Sequence, residues 1–179
     1  MDIRSADDPA YIELEKQLAV LGDIDVEIGG GNLVTTLDII FTAHGNESKF
    51  QLIDEIVAAA PLLERWRIYA LKPPLLEEMD IVFMKEHIRT QDIWFKVIPL
   101  ASGRDRLGLK IAIADSIEPS DWQIRQDGAL IIIESYLGER ACSSQLDILG
   151  FIDLPADPDS EGFVHLKEVA TQLGVHRIQ

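Results

Sequence analysis

The fold class is decided by the stretch DIDVEIGGGNLVTTLDIIFTA, residues 23–43. On either side of its glycines, every second position is apolar or β-branched, namely Ile24, Val26, Ile28, Leu33, Thr35, Leu37, Ile39 and Phe41. A period of two is that of a β-strand, whose successive side chains point to opposite faces of a sheet. The glycine run Gly29–Gly31 breaks the alternation between two such runs, so the stretch predicts a β-hairpin.

Helical patterns flank this hairpin. Before it, Asp7 or Asp8 can cap a helix that has Pro9 in its first turn and that ends at Gly22. The apolar stripe of this first helix is Tyr11, Leu14, Leu18 and Leu21. After the hairpin, Asn46 caps a second helix, which Pro61 stops. The apolar face of the second helix is Phe50, Ile53, Ile56, Val57 and Ala60.

Further strands are predicted along the rest of the chain. Four candidates follow the second helix, with breaks at KPP (72–74) and SGRD (102–105), and a last strand is LDILGFIDL (146–154). The four candidates are RWRIYAL (65–71), DIVFM (80–84), DIWFKVIPL (92–100) and RLGLKIAIA (106–114). A short amphipathic helix with Leu166, Val169, Ala170 and Leu173 on one face closes the sequence.

The segment SDWQIRQDGALIIIESYLGE, residues 120–139, fits two kinds of element. Its β-branched run Ile131–Ile133 is typical of a strand. Helical spacing relates Trp122, Gln126, Ala129, Ile133 and Leu137. Ser120 can cap such a helix and Gly138 can end it in a left-handed conformation. We therefore predict a helix over 120–137.

This order of elements predicts an α+β protein, with a mostly antiparallel sheet and helices packed on one face. We expect a single domain over 1–179. It comprises an N-terminal helix and first strand (1–31), a core (32–154), and an acidic loop with a terminal helix (155–179). We expect one shared core that contains Leu37, Ile39, Phe41, Ile53, Val57, Ile68, Phe95 and Ile111.

Part of the chain resembles an uncharacterised bacterial protein family. The resemblance is clearest in LDIIFTAHGNESKFQLIDEIVAAAPLLERWRIYALKPP (37–74), where a strand leads through a Gly–Asn turn to a helix ending in AAAP. YLGE (136–139) and GFVHLKE (162–168) resemble later landmarks of that family, so the similarity spans residues 33–168. It implies a single α+β domain and a helix over 120–137. It implies no activity, because the family has none assigned.

Composition restricts the class of partner. The 179 residues are 47% hydrophobic, with 16 Lys plus Arg against 31 Asp plus Glu, a net charge of −15. Such a charge repels nucleic-acid backbones and anionic membranes, and it permits a basic protein partner or divalent cations. It also serves solubility alone. The composition specifies no oligomeric state.

The same sequence indicates a cytoplasmic location. Only one cysteine, Cys142, is present, so no intrachain disulfide can form. The opening MDIRSADDPAYIELEKQ lacks the apolar segment of a signal peptide, and no apolar run approaches the ~18 residues of a membrane span. We therefore expect a protein of the reducing cytoplasm.

DPDSEGFVHLKE, residues 157–168, resembles the spacing of an EF-hand calcium loop. The oxygen ligands of such a loop would come from Asp157, Asp159, Glu161, the Phe163 carbonyl and Glu168, with Gly162 at the sharp turn. An EF-hand loop, however, is entered by a helix, and GFIDLPAD is typical of a strand. We therefore predict an acidic loop without physiological calcium affinity, and a weak cation site is the alternative.

Two residues are candidates for catalysis. His44 lies in TAHGN, where a strand meets a helix N-terminus, and could act there as an acid or base beside backbone N–H groups. Glu139 follows the helix-ending Gly138, and we expect its carboxylate to project from the fold beside Arg140. Structural roles are the alternative for both: an exposed turn residue for His44 and a solvated pair for Glu139. No cofactor motif is present, and the scattered histidines indicate no zinc site.

Three classes of function follow from these observations. The leading hypothesis is a non-catalytic acidic domain that binds a basic protein, as an immunity protein does. The second is a hydrolase-type enzyme with a cleft around His44. The third is a small-ligand-binding domain.

Overall fold

The computed structural model describes residues 9–29, 36–100, 106–114 and 122–177, and it confirms an α+β fold. The chain divides into two compact units, Met1–Lys72 and Pro73–Gln179. The boundary falls in the proline-containing segment KPP. Each unit has its own cluster of buried apolar side chains. The proposal of a single cooperative domain over 1–179, divided at 31 and 154, stays a prediction.

The first unit is a three-stranded sheet with two helices. Strand β1 pairs antiparallel with β2, with Val26 opposite Phe41, and β2 pairs parallel with β3. A helical crossover is needed between parallel neighbours, and α2 provides it. β1 and β3 are therefore the sheet edges, in the order β1-β2-β3. The elements are α1 (Pro9–Ala19), β1 (Asp25–Gly29), β2 (Leu37–Thr42), α2 (Phe50–Ala58) and β3 (Trp66–Ala70).

The predicted hairpin and both flanking helices are confirmed in this unit. Asn46 accepts a hydrogen bond from the Ser48 N–H (3.2 Å) at a 3-10 turn that leads into α2, as a capping residue should. Leu21 lies beyond the end of α1. The buried cluster is Leu18, Ile24, Val26, Ile39, Phe41, Ala43, Phe50, Ile53 and Leu71. Other predicted positions (Asp7, Asp8, Leu33, Thr35, and the Tyr11 side chain) lie outside the described residues.

The second unit contains a hairpin and a four-stranded sheet with the order β8-β7-β6-β9. β6 pairs antiparallel with β7 and β9, and β7 pairs parallel with β8. The hairpin strands are β4 (Asp80–Phe83) and β5 (Glu86–Arg89). The sheet strands are β6 (Ile93–Pro99), β7 (Leu107–Ile113), β8 (Leu146–Asp153) and β9 (Val164–His165). The helices are α3 (Trp122–Leu137), α4 (Glu139–Gln145) and α5 (Leu166–Leu173).

Helix α3 confirms the prediction for 120–137 from Trp122 onward; Ser120 lies outside the described residues. It is apolar around much of its circumference, which is typical of a helix buried on more than one side. Gly128 lets the hairpin approach closely, because a Cβ there would lie 2.0 Å from Ile88 Cδ1. Helices α3 and α5 together cover one face of the four-stranded sheet. Helices on one face of the sheet were predicted.

The second core shows that one expectation was wrong. Phe95 and Ile111 belong to the second unit's cluster, whereas Ile39, Phe41 and Ile53 belong to the first. The eight predicted core residues therefore do not share one core. Val57 and Ile68 pack against the first cluster while partly exposed.

Strands β5 and β9 and helix α4 were not predicted. The turn between β4 and β5 is Met84–Lys85, both with positive φ (47° and 79°). That conformation fits a two-residue hairpin but normally selects Asn or Gly, so the sequence lacks the usual turn signal. α4 starts directly after Gly138, whose φ of 82° ends α3 without an intervening loop.

Candidate functional site

His44 is held at the end of β2 by local turn chemistry. Its backbone is left-handed (φ 49°), and Gly45 follows with φ 82°. The His44 N–H donates to Thr42 Oγ1 at 3.1 Å, and the Asn46 N–H donates to the Ala43 carbonyl at 2.9 Å. The turn therefore fixes the backbone of His44 between the strand and the following helix.

The His44 side chain is paired with a carboxylate. His44 Nε2 lies 2.7 Å from Asp25 Oδ2, which joins the end of β2 to the start of β1. The hairpin register creates this pair, since Asp25 lies opposite Thr42. A carboxylate can orient an imidazole for acid–base chemistry. Here both side chains are open to water (54% and 71% exposed), so the interaction is solvent-screened and weak.

Asp25 also belongs to an acidic surface on α1 and β1. Between residues 9 and 29 the chain carries five carboxylates and one cation, Lys16. All five are exposed: Glu13, Glu15, Asp23, Asp25 and Glu27. We call this set the α1–β1 acidic surface. β1 alternates buried Val26 with exposed Asp25 and Glu27, so the strand contributes to the core and to this surface at once.

Part of this charge is compensated within the unit. Glu27 Oε1 lies 3.1 Å from Lys72 Nζ, which pairs one of the five carboxylates with a cation. The surface nevertheless remains negative. Charged side chains on an edge strand also discourage pairing with a further strand, which is a structural reason for acids at β1.

Glu139 differs from its prediction. It does not project into solvent; it is completely buried (0% exposed), in the first turn of α4. The sharp turn at Gly138 starts α4 inside the fold, and the Cys142 N–H donates to the Gly138 carbonyl at 3.1 Å. A carboxylate in the first turn interacts favourably with the helix dipole. Glu139 also has interaction partners, so it is not an isolated buried charge.

Cys142 is a structural thiol beside this turn. Its Sγ–H donates to the Ile133 carbonyl at 3.6 Å. Burial raises the pKa of the Cys142 thiol to about 12, and the nearby Glu134 and Glu139 charges add to the shift. A nucleophilic cysteine requires a lowered pKa, so this environment opposes thiolate chemistry.

The acidic loop is entered by strand β8, as predicted, and not by a helix. Asp157 forms hydrogen bonds within the turn 157–160. Its Oδ1 accepts from the Ser160 N–H at 3.2 Å, and its backbone carbonyl accepts from the Ser160 Oγ–H at 3.0 Å. Asp159 and Glu161 are exposed, and Glu168 lies in the first turn of α5. In the ranges that the structure describes, no three His, Cys, Asp or Glu side chains come together as a metal site requires. The lack of physiological calcium affinity stays a prediction.

The remaining histidines lie apart from one another. His87 Nδ1 lies 3.5 Å from Asp80 Oδ1 on the β4–β5 hairpin, and the His165 ring lies against the Trp94 ring in a tilted arrangement. Asp25 is the partner of His44 that the sequence analysis did not name. The predicted hairpin contained the signal for this pairing, because aligning its two alternating runs brings the start of β1, with Asp25, next to the end of β2, with His44.

Comparison with known proteins found no matching family model, no matching curated protein and no matching solved structure. The resemblance of residues 33–168 to an uncharacterised bacterial family therefore stays a prediction. Among the described residues, no helix has both the length and the apolar character needed to cross a bilayer.

Proposed function

We propose that this chain is a non-catalytic interaction domain that binds a basic protein, in the manner of an immunity protein. The observation that carries the proposal is the α1–β1 acidic surface, whose five carboxylates are all exposed on one helix, one edge strand and the turn between them. A concentrated charge of one sign attracts an oppositely charged partner over a distance and speeds its association. We further propose that the protein acts in the cytoplasm and does not bind nucleic acid.

The competing explanation is that these carboxylates only keep α1 soluble and protect the edge of the sheet. The two explanations differ in their response to salt. The screening length falls from about 30 Å to about 8 Å as ionic strength rises from about 0.01 M to about 0.15 M. Association steered by charge should therefore slow several-fold, whereas solubility charges predict no such dependence.

The experiment starts with affinity capture from native cytosol, with the whole chain as bait. The on-rate of the captured partner is then measured at both ionic strengths. Glu13→Lys/Glu15→Lys should slow association, with Glu64→Lys as a control that makes the same kind of charge change at an exposed site in the same unit. Adding Asp7→Lys/Asp8→Lys to this double variant tests whether the segment before Pro9 also contributes to the on-rate. An on-rate that ignores both salt and these substitutions contradicts the proposal.

A second candidate function rests on the His44–Asp25 pair. The 2.7 Å contact is the geometry in which a carboxylate orients a general base, so a hydrolase-type activity is the alternative. His44→Asn is a suitable test, because asparagine tolerates the left-handed backbone found at this position.

Hydrolysis of p-nitrophenyl esters and phosphates measures this alternative. If the pair is catalytic, His44→Asn and Asp25→Asn should lower the rate by about 100-fold or more, the usual contribution of general acid–base catalysis. Asp23→Asn is the matched control. Equal rates for wild type and His44→Asn would exclude the pair as the catalytic group.

A further inference from the structure

The four-stranded sheet has a second face, opposite the one covered by α3 and α5. Side chains alternate along each strand, and Ile93, Phe95, Leu109 and Ile111 occupy the helix-covered face. The residues between them lie on the second face. On β6 and β7 these are Trp94, Lys96, Ile98, Gly108, Lys110 and Ala112.

Two lysines lie directly opposite each other on this face. Lys96 pairs with Lys110 in the β6–β7 register, and both are half-buried. Directly opposed residues have Cβ atoms about 4.5–5.5 Å apart, where like charges destabilise a sheet. In the part of the chain that the structure describes, no carboxylate lies within salt-bridge distance of either ammonium group. In a protein of net charge −15, two adjacent cations with no carboxylate beside them among the described residues require an explanation.

Aromatic rings border the lysine pair. The Trp94 and His165 ring centroids lie 3.9 Å apart with an interplanar angle of 41°. Trp94 is two residues from Lys96 on the same strand and therefore on the same face. Lys96 Nζ lies 5.7 Å from the ring centroid of the buried Phe163, within the range of a cation–π contact.

Open space adjoins the lysine pair at Gly150. Gly150 of β8 is opposite Lys110, and nothing lies within 4 Å of where its Cβ would be. The space at Gly108 is filled instead, because a Cβ there would lie 2.8 Å from the Ile98 carbonyl oxygen, 2.8 Å from Leu100 Cδ2 and 2.9 Å from Leu149 Cδ1. The lysine pair is thus flanked by Trp94 and His165 at one end, by Leu100 and Leu149 at the other, and by open space at Gly150.

We propose that this face binds a small organic anion with a planar ring, its anionic group between Lys96 and Lys110 and its ring against Trp94. An anion placed there replaces the repulsion between two ammonium groups with two charge-assisted hydrogen bonds. The site is independent of the proposed acidic interface and would make the chain a ligand-binding protein as well.

Titration calorimetry with three probes tests the proposal: phenyl phosphate, inorganic phosphate and phenol. We expect phenyl phosphate to bind with a dissociation constant of about 1 mM or tighter, which suits a ligand of this size. Inorganic phosphate lacks the ring and phenol lacks the charge, so each should bind at least several-fold more weakly. Inorganic phosphate that binds as tightly as phenyl phosphate would refute the ring contact. Phenol that binds as tightly as phenyl phosphate would refute the role of the lysines.

Variants separate the site from the fold. Lys96→Gln and Lys110→Gln should each weaken phenyl phosphate about tenfold, the loss expected for a charge-assisted hydrogen bond. Lys96→Arg/Lys110→Arg should retain binding, and Lys85→Gln on the β4–β5 hairpin should leave it unchanged. Without ligand, Lys110→Gln should keep or raise the melting temperature, because it removes the repulsion. No phenyl phosphate binding at 10 mM, or binding to Lys96→Gln and Lys110→Gln that is as tight as to the unaltered protein, would overturn the proposal.

Discussion

Replacing Gly128 by alanine tests how closely α3 packs on the β4–β5 hairpin. The new Cβ would lie 2.0 Å from Ile88 Cδ1 and 3.3 Å from Ile88 Cγ1, and Ile88 is only 2% exposed. The side chain of Ile88 must therefore move within a packed core. Overpacking of this kind costs about 1–3 kcal/mol.

Helix propensity works in the opposite direction. Alanine is favoured over glycine inside a helix by about 1 kcal/mol. At an open helical site Gly128→Ala would therefore stabilise the protein. With the contact to Ile88, we expect a net loss of about 1 kcal/mol in the free energy of unfolding.

The double variant isolates the contact. Ile88→Val removes Cδ1 and alone should cost about 1 kcal/mol. In Gly128→Ala/Ile88→Val the alanine methyl occupies the vacated space, so we expect stability within about 0.5 kcal/mol of wild type. The coupling between the two sites is then about 2 kcal/mol.

Urea denaturation of the four proteins, followed by far-UV circular dichroism, measures these free energies. The reasoning is refuted if Gly128→Ala alone stabilises the protein by about 1 kcal/mol, since α3 would then be an open helix at this position. It is equally refuted if the two changes are additive within about 0.5 kcal/mol, as distant sites are.

Four further predictions concern other parts of the molecule. Phe41→Ala should lower the free energy of unfolding by about 3–5 kcal/mol as a core truncation, and a loss under about 1 kcal/mol in denaturant melts would contradict the position of β2. Met84→Asn/Lys85→Gly should raise the melting temperature, because it places residues suited to positive φ in the hairpin turn; an unchanged or lower value would contradict that turn. The Cys142 thiol should resist iodoacetamide in the folded protein at pH 8 and react after unfolding. Because its folded pKa of about 12 exceeds the usual 9.0, the contribution of the neutral thiol to stability is complete below pH 9 and is lost as pH rises towards 12. A protein that becomes more stable between pH 9 and pH 12 would contradict the burial of this thiol. Calorimetry should find no calcium site tighter than ~1 mM at residues 157–168, and a micromolar site abolished by Glu168→Gln would show that the loop does bind the ion.

Local sequence patterns predicted the elements whose signals are local. Alternation in residues 23–43 identified the β1–β2 hairpin, and helical spacing outweighed the β-branched run Ile131–Ile133 in predicting α3. Asn46 was recognised as a cap because its side chain acts within two residues of its own position. In each case the energy that selects the structure comes from neighbours in the chain, so the sequence displays it.

Elements without a local signal were missed. The β4–β5 hairpin turns at Met84–Lys85, where tertiary packing of Ile88 against α3 holds a turn that these residues do not favour. β9 is two residues long and exists only through its pairing with β6. The parallel pairings of β2 with β3 and of β7 with β8 join strands that a crossover separates, and no periodicity reports them.

By itself the sequence determined the α+β class, the net charge and the hairpin, because these depend on composition and on contacts between nearby residues. Only the tertiary structure decided which distant side chains meet. It placed Asp25 beside His44, buried Glu139 at the start of α4, and set Lys96 opposite Lys110. For Glu139 the physical reason is the turn at Gly138, which starts α4 inside the fold. For the two strand pairs it is register: a shift of one residue moves every side chain of a strand to the other face, and the packing of the whole core selects among the registers.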